Sequence, residues 1–103
     1  MNRIEKLLEF LQQSPGDSFL MHALALEYIK TGEEASAREL FEALLEKNPD
    51  YVGSYYHLAK LLERTGAREQ ALQVYERGMQ AAGKAGDRHA LNELRSAYDD
   101  LMD

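Results

Sequence analysis

A stretch of this chain is written twice. KTGEEASARELF begins at Lys30, and RTGAREQALQVY begins at Arg64, 34 residues later. Each copy opens on a basic residue and Thr-Gly, then places Ala five residues past the Gly and an aromatic four residues further on. The same 34-residue offset relates Pro15 to Pro49, Leu24 to Leu58, Ala25 to Ala59, and Ala37 to Ala71. A fixed period of this length marks a repeat architecture. Each unit has an apolar face that it hides only by packing on a neighbour.

The repeated unit reads as helix–turn–helix. Apolar residues recur at helical spacing in the first segment, at Ile4, Leu7, Leu8 and Leu11, until SPGD interrupts it. Asp17 or Ser18 can cap a second helix, SFLMHALALEYIK, which stops at Gly32. EEASARELFEALLEK is a third helix and ends at NPD. Asp50 is expected to cap a fourth, YVGSYYHLAKLLER, which stops at Gly66. AREQALQVYERGMQAA is a fifth, GKAGD a turn, and RHALNELRSAYDDLM a sixth capped by Asp87. Both prolines fall in the expected turns, and no strand pattern competes.

Bulk properties exclude several classes of function. The chain has 103 residues and no cysteine, so disulfides, thiolate metal sites and cysteine nucleophiles are out. A reducing cytoplasm is the expected compartment. Glu5 and Glu9 break any apolar leader, and no run approaches the roughly 18–20 apolar residues of a spanning helix. A net charge of −6 argues against grip on a nucleic-acid backbone and suits solubility or a basic or neutral protein partner.

At these positions the chain resembles the tetratricopeptide repeat family. Its pattern of a bulky residue, Leu, a small residue, Tyr, then Ala, an aromatic and Pro is met by Met21, Leu24, Ala25, Tyr28, Ala37, Phe41 and Pro49. The second copy reads Tyr55, Leu58, Ala59, Leu62, Ala71 and Tyr75, with Gly83 in place of the closing Pro. The resemblance implies an all-α, right-handed solenoid of about six helices, arranged as antiparallel pairs. The expected single domain, 1–103, comprises a half-repeat helix at 1–14, repeats at 18–51 and 52–85, and a capping helix at 87–103. Small residues at Ala25, Ala37, Ala59 and Ala71 let paired helices approach closely, and Tyr28, Phe41 and Tyr75 fill the space between them.

The helix at 18–31 carries two apolar stripes. Met21, Leu24, Ala25 and Tyr28 form one, while Phe19, His22, Leu26 and Ile29 form another about 130° away at 100° per residue. Such a helix is buried from several sides or keeps an apolar surface for a partner. In the family, the first helix of each repeat lines a concave groove that commonly holds a peptide or helix. The resemblance therefore implies a partner-binding set of Phe19, His22, Leu26 and Ile29. Gly53, Tyr56, Lys60 and Glu63 continue it one repeat later, and Asp87, Ala90 and Leu94 follow if the register persists. Gly53 leaves room for a partner, and Tyr56 offers a flat contact with a polar tip. Leu26 and Ile29 have the alternative of packing on the neighbouring helix.

The family's clamp for terminal carboxylates needs Lys and Asn at groove positions. His22 and Leu26 stand at the corresponding places, so that use is not expected. His22, His57 and His89 lack the spacing of a metal site, and the many carboxylates lack an adjacent base. No phosphate loop follows a strand. The function expected is that of a non-enzymatic adaptor without cofactor or metal. Self-association into a homo-oligomeric scaffold is the alternative, because the ends of a short stack expose apolar faces.

Overall fold

The computed structural model describes residues 2–103, which form six helices and no strand. The chain divides at the Asn48–Pro49 peptide into two compact units, 1–48 and 49–103.

The first unit holds α1 (Arg3–Gln13), α2 (Ser18–Lys30) and α3 (Glu34–Lys47). Asn2 and Glu5 open α1 with a reciprocal capping box: the Glu5 N–H donates to Asn2 Oδ1 at 2.8 Å, and the Asn2 N–H reaches Glu5 Oε1 at 3.5 Å. Leu7 of α1 is buried with Ala23 and Leu24, and Ile4, Leu11, Leu20, Tyr28 and Leu40 pack around them. An ion pair between Arg3 and Glu27, 3.3 Å long, ties α1 to α2 at the surface. Asp17 caps α2, its Oδ1 accepting the Leu20 N–H at 3.1 Å.

The doubled Thr-Gly text is a doubled helix stop. Gly32 has φ +80°, its N–H donates to the Ile29 carbonyl, and the Glu33 N–H donates to Tyr28 at 2.8 Å. Gly66 has φ +83°, its N–H donates to Glu63, and the Ala67 N–H donates to Leu62 at 2.8 Å. This paired-bond closure satisfies carbonyls that a helix end would leave open, and its left-handed residue suits glycine. The turn is short, so the helices it joins return antiparallel. Between them the small residues do what their size allows. Ala25, Ala37, Ala59 and Ala71 are all fully buried, as are Phe41 and Tyr75.

The second unit holds α4 (Gly53–Arg64), α5 (Arg68–Ala85) and α6 (Arg88–Met102). Two local expectations fail here. Asp50 does not cap α4: the helix starts at Gly53 after Val52, and the Tyr51 and Val52 carbonyls accept the first N–H bonds, from Ser54 and Tyr55. Asp50 belongs to the turn that follows Pro49, too far upstream to reach those amides. In addition, GKAGD is not all turn. With Gly83 where the family has Pro, every amide stays available, and α5 runs on to Ala85. It ends on Gly86, φ +73°, with the same closure: Asp87 N–H to the Ala82 carbonyl and Gly86 N–H to Gly83. Asp87 then caps α6, its Oδ1 accepting the Ala90 N–H at 3.0 Å.

Candidate partner-binding surface

On α2 the two stripes differ in exposure at their N-terminal ends, while Tyr28 of the first stripe is half-buried like most of the second. Met21, Leu24 and Ala25 are buried, and so is Ala23. On the other stripe Phe19 is 66% exposed, while His22, Leu26 and Ile29 are half-buried. The His22 imidazole packs edge-on against Phe41, with centroids 5.8 Å apart, so part of that ring belongs to the α2–α3 hairpin. The first unit therefore offers a surface led by Phe19, with Leu26 and Ile29 contributing only the exposed part of each side chain.

On α4 the four expected residues behave differently from one another. Gly53 is exposed, and a Cβ placed on it would meet no atom within 4 Å, so the space beside it is open. Tyr56 is half-buried, and its ring meets His57 edge-on at 5.8 Å. Lys60 Nζ lies 5.7 Å from the Tyr56 ring centroid and 3.6 Å from Glu63 Oε2. Glu63 also accepts a hydrogen bond from the hydroxyl of Tyr75, a buried α5 residue. Lys60 thus already has a carboxylate and an aromatic neighbour on its own helix.

The strip does not continue along α6 as expected. Leu94 is 1% exposed and packs at the Gly78 contact, and Asp87 is occupied as a helix cap. The shift follows from the sixth helix lacking the repeat's Leu and small residue, since Asn92 and Glu93 there are exposed. Leu94 and Ala97 supply the buried face instead.

Two residues do more than the sequence predicts. Tyr75 fills the space between its helices, and its hydroxyl also holds Glu63. A signal was present: the equivalents of Tyr75 and Glu63 one repeat earlier are Phe41 and Ile29, so an apolar pair becomes a polar pair at both positions together. His57 offers no such signal in the sequence. Burial pushes its pKa below the ordinary value of 6.5, and Glu93 pulls it partly back. Among the described residues no three His, Asp or Glu side chains gather as metal ligands would.

The tetratricopeptide repeat model matches residues 28–98, from the end of α2 into α6. The chain belongs to the tetratricopeptide repeat family. A tetratricopeptide repeat domain protein from Salinibacter ruber, solved in solution, is 41% identical, with 84% of this chain and 88% of that one covered and a TM-score of 0.81. A Bordetella parapertussis protein is 27% identical, covering 99% and 89%, at a TM-score of 0.84. The TPR2B domain of yeast Sti1, solved in a complex designated pHsp70, shares 16% identity over 96% of this chain and 79% of that one, with a TM-score of 0.88. That last likeness speaks for the fold, an all-α solenoid, and for nothing finer. No curated protein matches the chain in sequence. No helix among the described residues is long and apolar enough to cross a membrane.

Proposed function

We propose that this tetratricopeptide repeat protein is a non-enzymatic adaptor that binds a peptide or helical segment of another protein, in the cytoplasm. The binding residues are Phe19, His22, Leu26 and Ile29 on α2 of the first unit, and Gly53, Tyr56, Lys60 and Glu63 on α4 of the second. The observation that carries the reading is Phe19, two-thirds exposed on a helix that buries Met21, Leu24 and Ala25 on its other stripe. A large apolar group kept in water is accounted for when a partner covers it. The open space beside Gly53 and the half-exposed Tyr56 ring supply the same kind of contact on α4. Affinity capture from the source organism tests this. The Leu26→Glu/Tyr56→Glu double variant is expected to keep its helical circular dichroism and lose the partner. Capture undiminished in the variant excludes these faces.

Self-association is the second reading, favoured by α1. Leu8 and Phe10 are 43% and 53% exposed there, and Leu8 borders an apolar cleft of about 390 Å³ floored by Leu24 and Tyr28. Sedimentation across a dilution series distinguishes the two, because a monomer at high concentration removes the second.

A further inference from the structure

The charges on α4 are already spoken for within the second unit. Tyr75 is buried, and its hydroxyl needs an acceptor, which Glu63 provides. That bond fixes the carboxylate in place. Lys60 adds its ammonium to the same atom, Oε2, and the same Nζ lies 5.7 Å from the Tyr56 ring centroid. Both contacts fall on Oε2, so Oε1 keeps its capacity to accept. Lys60 is the looser partner: its side chain is 38% exposed and the pair is long at 3.6 Å, a kind of contact that water and salt readily replace.

The neighbouring groups lean acidic. Asp100 of α6 stands close enough to act on the Tyr75 phenol, and Glu93 of α6 close enough to act on His57. His57 contributes no compensating charge near neutrality, because burial favours its neutral form. Arg68 is turned to the end of α6, where it donates to the Leu101 carbonyl at 3.1 Å and pairs with Glu69 at 3.5 Å. A carboxylate arriving at Tyr56 would meet the Glu63 carboxylate that Tyr75 holds in place. A guanidinium would meet an aromatic face and a fixed acceptor. Its planar fork matches both, whereas an ammonium would only replace Lys60 like for like.

We propose that the α4 face takes an arginine-bearing segment of a partner polypeptide, the guanidinium lying on the Tyr56 ring and donating to Glu63 Oε1. This rests on the protein-binding reading above and makes Glu63 its specificity determinant, with Tyr75 as the positioning residue behind it. Lys60 swings aside into solvent as the arginine enters.

The test uses blocked decapeptide libraries, each with one position fixed as Arg, Lys, Glu or Leu, titrated by fluorescence polarisation against the full chain. The expected result is a preference for Arg over Glu of about tenfold at one position. Glu63→Gln removes that preference, and Tyr75→Phe reduces it roughly threefold by freeing the carboxylate. Glu63→Gln still offers Tyr75 an amide oxygen, so the hairpin holds, and circular dichroism verifies it. Glu76→Gln deletes the same charge from an exposed position of α5 and leaves the preference intact. Equal loss in Glu76→Gln and Glu63→Gln would mean general charge attraction and overturn the proposal. Peptides bound without an Arg preference, or with a Glu preference, overturn it and leave the adaptor reading standing. No binding of any library to the wild type overturns both.

Discussion

Gly78 of α5 rests on Tyr55 of α4 so closely that a Cβ added to the glycine would lie 2.7 Å from the Tyr55 Cβ and 3.1 Å from Leu94 Cδ1. One repeat earlier the equivalent positions carry Leu44 and Met21. The second hairpin has exchanged a large residue on one helix for a glycine while enlarging the facing residue to tyrosine. Tyr55 is 2% exposed, its hydroxyl donates to the Pro49 carbonyl at 2.6 Å, and Arg77 lies 5.7 Å over its ring.

Gly78→Ala is therefore expected to destabilise the protein by about 1–2 kcal/mol, overpacking outweighing the better helix propensity of alanine. Gly83 lies in the same helix, with no atom within 4 Å of its hypothetical Cβ and no positive φ. There propensity acts alone, and Gly83→Ala should stabilise by about 0.5–1 kcal/mol. Urea denaturation of both variants checks the opposite signs.

The capping geometry predicts unequal consequences for two aspartates. Asp17→Ala removes the acceptor for the Leu20 N–H and should cost about 1 kcal/mol. Asp50→Ala removes no helix cap and should stay within about 0.5 kcal/mol of wild type. Thermal melts side by side measure the difference.

Alkaline solution should weaken the fold through Tyr75. Burial, the hydrogen bond to Glu63 and the nearby carboxylate charge raise its pKa far above the ordinary value of 10.0. The unfolded chain then loses this proton first. Stability is whole below about pH 10 and falls as pH rises beyond it. Tyr75→Phe should flatten that decline, read as denaturation midpoints between about pH 9 and 11.

His57 predicts the acid side. Its lowered pKa means the unfolded chain takes up the proton first, so its contribution is present above pH 6.5 and is lost as pH falls through the folded value. Titration of the imidazole by NMR should give a midpoint below 6.5, and Glu93→Gln should lower it further by removing the charge that raises it. A midpoint unmoved by Glu93→Gln would deny that coupling.

The repeat made much of the fold legible. Thr-Gly spacing located both left-handed stops, and the four alanines at matched positions were the fully buried contacts. Helix ends were less legible where the copies diverge. Nothing before Gly53 marked the start of α4, and Gly83 permitted a longer α5 than a proline would have. On α2, the pattern identified two apolar stripes but could not say how far Leu26 and Ile29 were covered, because periodicity gives direction around a helix and not what stands opposite.

By itself the sequence determined that this chain forms paired helices with a 34-residue period, since turn chemistry and apolar spacing are local and written twice. Only the tertiary structure decided what each face does: that Tyr75 holds Glu63 and that Leu94 is core. Those outcomes depend on distances between side chains on different helices, which no single helix encodes.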